Sequence, residues 1–346
     1  MKRYGWLYEK AFTKENIKLA IIRASKGKKK RRIVRKVLSN IDYYTDEIYH
    51  IAWTYSYKPS PYSKFTLKDP SSGKMREICK PRFYPDHCIH WCIYLVLYPI
   101  LSKRLISKTY SSLKGRGQIY GQKKIKKQLK NKKQTKYYLK VDIRKFYPSI
   151  DIHKLETMLE HKIKDPKLLK LIHDILKQEK GLPIGMILSQ LFANYYITDI
   201  DYSFNSKFYN RYADDVVIFG SNKRKLHKQR VYLQECLDKK SLTLKSNFQV
   251  YKTDKEMLDY MGFRFNHDKV IMRRKIMIKA NRDILKWKRN KIYKIACSII
   301  SHMGYVKHSN SYMFYSNRIR PYVNFNELKQ IIRSNTNENL QIAIEY

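Results

Sequence analysis

The stretch Arg211-Tyr212-Ala213-Asp214-Asp215-Val216-Val217-Ile218-Phe219 sets two adjacent carboxylates between β-forming residues. Tyr, Val, Ile and Phe favour strands and Asp favours turns, so the segment predicts a hairpin with its acids at or near the turn. A polar surface turn would satisfy that pattern, and so would a site that uses both acids. A third acid shifts the balance. Asp142 ends another β-rich run, Tyr138-Leu139-Lys140-Val141-Asp142-Ile143. If the two runs are neighbours in one sheet, three carboxylates converge at one edge, and they repel unless cations share them. Hard oxygen ligands suit Mg²⁺, which keeps waters and also takes substrate phosphates. Two such ions about 3.5–4 Å apart activate a hydroxyl and stabilise a leaving oxygen. Asp142, Asp214 and Asp215 are therefore the candidate metal ligands of a phosphoryl-transfer site.

The rest of the chain fits a phosphate-bearing substrate. Its 346 residues carry 73 Lys+Arg against 29 Asp+Glu, a formal net charge of +44. Hydrophobic residues make up 43%, enough for a sizeable core and two or three subdomains. Such an excess opposes compaction by self-repulsion. A polyanion is expected to neutralise it, nucleic acid ahead of an anionic membrane surface. The densest block runs from Lys26 to Lys36 and includes Lys28, Lys29, Lys30, Arg31 and Arg32. It reads either as a solvated helix face or as a phosphate-tracking arm, and the whole-chain charge favours the arm. Tyr43, Tyr44, Tyr49, Trp53, Tyr55 and Tyr57 follow it. Some belong to a core, and aromatics beside basic residues also suit base stacking.

A membrane protein is not expected. No apolar run reaches the roughly 18 residues of a spanning helix, and the opening MKRYGWLYEK lacks the apolar segment of a signal peptide. Five irregularly spaced cysteines suggest free thiols in a reducing compartment, hence a cytoplasmic protein. His87-Cys88-Ile89-His90-Trp91-Cys92 holds metal-ligating residue types. On a helix its His and Cys pairs point in different directions, and no second cluster completes a four-ligand shell. A buried helix with soft packing residues is the expected form.

Pattern and punctuation predict helices over residues 1–60, then a strand, a turn at Pro70-Ser71-Ser72-Gly73 and a return strand at 76–79. An apolar helix is expected over 86–107, a tight loop at Gly115-Arg116-Gly117 and a basic helix over 120–131. Further on come a strand at 137–143, helical sequence over 151–179 and a helix at 189–198. The hairpin follows, then a helix at 222–239, strands at 242–250 and 258–265, and a basic helical region from 275.

Three segments in order, VDIRKFYPSID, GLPIGMILSQLFANYY and RYADDVVIF, resemble the palm motifs of reverse transcriptases. LTLKSNFQVYKT and LDYMGFRF resemble the two motifs that follow them in that family. KMREICKPRFYPDHCIHWCIYLVLYPIL and SSLKGRGQIYG resemble the finger motifs that precede them. The likeness spans about residues 62–265. It implies an α+β right-hand polymerase with fingers, a palm of antiparallel sheet plus helices, and a helical thumb. The corresponding boundaries are a basic N-terminal extension at 1–60, fingers at 61–136, a palm at 137–265 and a thumb at 266–346. A finger-like helical insertion falls at about 151–182 of the palm.

The same resemblance implies an RNA-directed DNA polymerase. Two Mg²⁺, with Mn²⁺ as a substitute, would sit on Asp142, Asp214, Asp215 and the carbonyl of Ile143. Arg76 corresponds to a position that grips the incoming dNTP, with Lys64 and Lys74 alongside. Tyr147 corresponds to the aromatic that closes off the ribose 2′-OH, the alternative being a core tyrosine. Ile184, Gly185 and Gln190 would line the nascent base pair, and glycine allows close approach there. Arg116 would bind template phosphate or brace its loop. Lys245 or Lys252 would protonate the leaving pyrophosphate.

Within the family the chain is most similar to enzymes of diversity-generating retroelements. Ile184 stands where most relatives have glutamine, and Ser189-Gln190 stands where most bacterial relatives have Ser-Pro. The entry segment RYGWLYEKAFTKENIKLAIIRASKGK is similar to theirs as well. Neither the Asn-Ala-x-x-His stretch nor the Val-Thr-Gly triplet typical of retron enzymes is found. The subtype implies errors at template adenines, a structured template RNA, an RNA–DNA duplex product and a small basic accessory variability determinant protein. The alternatives are a defence-type enzyme, abortive-infection or retron-like, and a non-catalytic RNA-binding protein on a polymerase fold.

Overall fold

The computed structural model describes residues 2–68, 73, 75–204 and 206–341, with 336–341 as backbone only. Of the turn expected at Pro70-Ser71-Ser72-Gly73 only Gly73 is among them, and Lys74 lies outside the described residues. Nine strands occur among the described residues: β1 Ser63–Lys68, β2 Met75–Lys80, β3 Tyr137–Asp142, β4 Tyr209–Tyr212, β5 Asp215–Gly220, β6 Gln249–Lys252, β7 Leu258–Tyr260, β8 Phe263–Phe265 and β9 Val270–Met272. The chain divides into two compact units.

The first unit comprises Met1–Ser107, Asp142–Asn205 and Val231–Ser246. At its centre is the helix Cys88–Leu101, apolar along its length, with Cys88, Ile89, Cys92, Ile93, Leu97 and Leu101 buried. Helices Lys14–Ser25 and Ile187–Tyr196 pack against it. Cys88 and Cys92 are free thiols buried in this packing. The antiparallel ribbon β1–β2 stands out from these helices with most of its residues exposed.

Two expectations change in this unit. The Lys26–Lys36 block is not one helix face. Helix Lys14–Ser25 stops, Gly27 turns with φ 73° in the left-handed region that suits glycine, and a new helix begins at Arg32. The helical sequence at 151–179 is likewise two helices, Ile152–Glu160 and Pro166–Leu176. Asp165-Pro166 restarts the chain. Proline at the first helical position needs no N–H partner, while Asp165 Oδ1 accepts the backbone N–H groups of Lys167 and Leu168 at 3.1 and 3.2 Å. Its other oxygen accepts the N–H of Tyr8 at 2.8 Å, fastening the first helix of the chain to this cap.

The second unit comprises Lys108–Val141, Ser206–Arg230 and Asn247–Tyr346. It carries a four-stranded sheet in the order β4-β5-β3-β6, with β4–β5 and β3–β6 antiparallel. A second sheet, β7-β8-β9, is antiparallel throughout. Tyr138, Val217, Phe219, Tyr260, Phe263 and Phe265 share one buried core with residues of the helix Gln118–Leu129. The stretch expected as one strand at 258–265 is the hairpin β7–β8. Met261 and Gly262 at its turn both have positive φ, 50° and 84°, as a two-residue type I′ turn requires. Of the strand expected at 242–250 only 249–250 falls in β6, with an isolated bridge from Leu244 to Ile143 before it. The C-terminal helices Arg274–Arg289, Tyr293–Lys307 and Phe325–Gln341 enclose Ile284, Trp287, Ile299 and Leu328.

Candidate active site

In the second unit, β4 and β5 are joined through Ala213 and Asp214, with Tyr212 opposite Asp215. Ala213 has φ 54°, a conformation uncommon for a residue with a Cβ and costing on the order of 1 kcal/mol. Two side chains hold the turn in that shape. The fully buried Arg211 donates from Nη1 to the Ala213 carbonyl at 3.2 Å. Tyr260, on β7, donates its hydroxyl to the Asp215 carbonyl at 3.2 Å. One residue further back, Asn210 Oδ1 accepts from the Tyr110 hydroxyl at 2.6 Å and from Gln128 Nε2 at 3.1 Å. The hairpin that presents Asp214 and Asp215 thus stands on a satisfied polar network inside an aromatic core.

β3 ends on Asp142, the residue at which the chain passes into the first unit. β3 and β5 are neighbours in the four-stranded sheet. Asp142 Oδ1 is closed off from solvent and receives no hydrogen bond of regular geometry, and the Lys245 ammonium sits against it as counter-ion. The backbone holds the same pairing. Lys245 donates its N–H to the Asp142 carbonyl at 2.9 Å, and Arg144 donates to Thr243 at 2.8 Å. Lys252 is placed otherwise: it is exposed on β6, opposite Tyr137 at the far end of β3. At about 3.3 Å per residue that is roughly 16 Å along the strand from Asp142. Among the described residues, no group of three or more His, Cys, Asp or Glu side chains is gathered into a ready-made metal cage. A buried carboxylate oxygen answered only by a charge does fit a hard cation in chemistry.

The first unit gathers several of the expected nucleotide-binding residues along continuous backbone. Tyr147 opens a single helical turn, Tyr147–Ser149, its ring edge-on to Phe146 at 5.4 Å. Its carbonyl accepts the N–H of Leu182 at 3.0 Å. The Ile184 carbonyl then accepts the N–H of Cys79, on β2, at 2.8 Å. Gly185 follows with φ 119°, so close to β2 that a Cβ there would lie 2.6 Å from the Cys79 carbonyl and 3.0 Å from Ile78 Cγ2. Arg76 shares a strand face with Ile78, two residues away. Tyr147, Ile184, Gly185 and Arg76 therefore stand on segments bonded to one another. Gln190 is exposed on the next helix, Ile187–Tyr196.

Other candidates have different surroundings. Lys64 is engaged by Glu179 at 2.7 Å. Arg116 belongs to the second unit, where its N–H closes the loop onto the Leu113 carbonyl at 3.1 Å. Lys28 is half-buried and touches His87, whereas Lys29, Lys30, Arg31 and Arg32 are exposed. The sequence reading missed Arg211, Tyr260 and Gln128, whose hydrogen bonds hold the hairpin that carries Asp214 and Asp215. Arg211 inside a β-forming run was the available signal, because a buried guanidinium needs acceptors.

A family model described as reverse transcriptase (RNA-dependent DNA polymerase) matches residues 68–265, more than half of the chain. The retron Ec73 reverse transcriptase of Escherichia coli is 28% identical over 179 residues, covering 46% of this chain and 54% of that protein. The chain thus spans about half the length of this curated relative. Among solved structures, telomerase from Candida albicans in complex with a TWJ fragment of telomeric RNA is 11% identical with a TM-score of 0.48, over 87% of this chain and 65% of that one. A Cas6-RT-Cas1–Cas2 complex is 17% identical with a TM-score of 0.40, over 67% of this chain and 26% of that one. Among the described residues no helix is long and apolar enough to cross a membrane. With the family model spanning every segment from β2 through β8, the chain belongs to the reverse transcriptase family.

Proposed function

We propose that the chain is an RNA-directed DNA polymerase that copies a template RNA into cDNA from dNTPs. The observation that carries this reading is the backbone linkage of the Tyr147 turn, the Ile184-Gly185 loop and β2 in one unit of a family member. These are the segments expected to receive the sugar, the base pair and the triphosphate of an incoming nucleotide. On this reading residues 61–136 act as fingers, 137–265 as palm and 266–346 as thumb, and the N-terminal extension tracks RNA.

The roles follow from chemistry. Asp142, Asp214, Asp215 and the Ile143 carbonyl would hold two Mg²⁺ ions, or Mn²⁺ in their place. Such ions supply an activated primer hydroxyl and charge neutralisation at the leaving pyrophosphate. Arg76 would clamp triphosphate oxygens by bidentate pairing. The Tyr147 ring would exclude a 2′-OH, and Gly185 would let the nascent base pair approach the backbone closely. Lys245 is the better placed proton donor to pyrophosphate, since its ammonium already lies at Asp142 while Lys252 stands at the other end of β3. Catalysis is then mostly positioning and charge stabilisation.

Ile184 and the Ser189-Gln190 pair support a finer assignment, the mutagenic enzyme of a diversity-generating retroelement. An aliphatic side chain at the base pair offers no hydrogen bond, and a site discriminates strongly only through polar groups that the wrong partner leaves unpaired. This assignment brings errors at template adenines, a small basic accessory protein as partner and cytoplasmic action. The 28% identity to a retron reverse transcriptase favours a second reading, a defence-type enzyme. The test of the shared reaction is Asp214→Asn. It is expected to lower cDNA synthesis by at least a thousandfold with RNA affinity within twofold of wild type. Synthesis near the wild-type rate would remove the assignment.

A further inference from the structure

Asp142 is held differently from the carboxylates that serve the fold. Asp165 spends both oxygens on backbone N–H groups, those of Tyr8, Lys167 and Leu168. Asp259 is gripped by a guanidinium, with Arg273 Nε donating to its Oδ1 at 2.6 Å. The Asp142 carboxylate accepts from no backbone N–H and no hydroxyl among the described residues, and its partner there is the Lys245 ammonium. The two side chains are 27% and 29% exposed. An ion pair with that much contact with water adds little to stability, so the fold gains little from this one.

The backbone beneath the lysine is fixed. Gln234, on the helix Lys223–Asp238, accepts the Leu244 N–H on Oε1 at 2.9 Å and donates from Nε2 to Asp238 Oδ1 at 2.6 Å. Tyr196 donates its hydroxyl to the Lys240 carbonyl at 2.8 Å. Lys154 donates to the Lys239 carbonyl at 2.8 Å and to Ser241 Oγ at 3.0 Å. The Lys245 N–H closes the loop onto the Asp142 carbonyl. With the loop anchored from 239 to 245, the part left to move is the flexible stem of Lys245 and the point charge at its tip.

An ammonium and a divalent ion cannot share one carboxylate oxygen, because like charges at contact repel. The divalent ion has the stronger claim, since it carries two charges and gathers several oxygens at once. We propose that Lys245 is a resident counter-ion that stands on Asp142 in place of a divalent cation and is displaced when that cation binds, an inference that rests on the reading of Asp142 as a metal ligand. Loading of the site and release of the ammonium are then one exchange, and Lys245 is freed toward the pyrophosphate only in loaded protein.

The test is Mn²⁺ binding to the full chain without nucleic acid or dNTP. The electron paramagnetic resonance signal of free Mn²⁺ is lost on binding and gives the affinity with no turnover. Lys245→Met keeps a stem of similar length, removes the charge and is expected to tighten Mn²⁺ binding about tenfold, a usual coupling between two ligands of one protein. The same change of net charge at exposed Lys239, Lys239→Met, should alter the affinity by roughly twofold at most in physiological salt. In an Asp142→Asn background Lys245→Met should have no effect. Wild-type protein supplies the converse. Coupling is reciprocal, so saturating Mg²⁺ should raise the rate of Lys245 acetylation by sulfo-N-hydroxysuccinimide acetate about fivefold, read by peptide mass spectrometry, and leave Lys239 unchanged. Equal Mn²⁺ affinity in wild type and Lys245→Met, or acetylation indifferent to Mg²⁺, would overturn the exchange. If Asp142→Asn weakens Mn²⁺ binding while Lys245→Met does not tighten it, the exchange fails and the metal-ligand reading stands. Mn²⁺ binding unchanged by Asp142→Asn would remove that reading as well.

Discussion

At the scale of single residues, Gly185 shows how closely the candidate nucleotide site is built. It combines φ 119° with a backbone carbonyl, that of Cys79, where a Cβ would go. Neither can relax cheaply, because the Cys79 N–H is bonded to the neighbouring Ile184 carbonyl. Gly185→Ala is therefore expected to lower the unfolding free energy by about 2 kcal/mol and to raise the KM for dNTP more than it lowers kcat. Denaturant melts and steady-state incorporation read the two effects, and wild-type values for both would contradict this account of the loop. The hairpin with the two acids at its turn was legible from sequence because β-forming residues flank them on both sides. Lys245 could not be separated from Lys252 in that way. The choice depends on which lysine reaches the Asp142 end of β3, and strand register is fixed by tertiary pairing.

At the scale of elements, boundaries moved where turn geometry overrode periodicity. Residues 258–265 alternate like one strand, yet the positive φ of Met261 and Gly262 folds them into a hairpin. The Lys26–Arg31 segment reads as helix by its charge pattern but is a turn. The apolar helix was legible as an element from its composition, but the one expected over 86–107 is shorter, Cys88–Leu101, with a separate tight turn at Ser102–Arg104 after it.

The start of that helix makes a pH-dependent prediction. Burial lowers the pKa of His87 to about 3 and of His90 to about 4, below the ordinary value of 6.5. Both are neutral when folded at pH 7. As pH falls below 6.5 the unfolded chain takes up their protons first, so stability declines until the folded values are reached. Each histidine contributes a slope of about 1.4 kcal/mol per pH unit. Unfolding midpoints should therefore fall between pH 6.5 and 4.5, and His90→Leu should reduce the slope by about half. A flat profile over that range would contradict the neutral, buried assignment.

At the scale of the whole molecule, the balance of 73 basic against 29 acidic residues bears on partners more than on fold. Some of the acids are spent on structure, as in the Asp165 cap, and three make up the candidate metal site. That distribution suits a protein that holds a long polyanion and reserves a few carboxylates for chemistry. It also sets the most direct measurement of the central claim. Purified protein would be supplied with Mg²⁺, dNTPs and a defined primed RNA, with a template-free control, and the products sequenced. The account predicts DNA complementary to the RNA, formed only when template is present, with substitutions concentrated opposite adenines if the retroelement assignment holds. DNA made equally well without template, or no DNA on any RNA supplied, would contradict it.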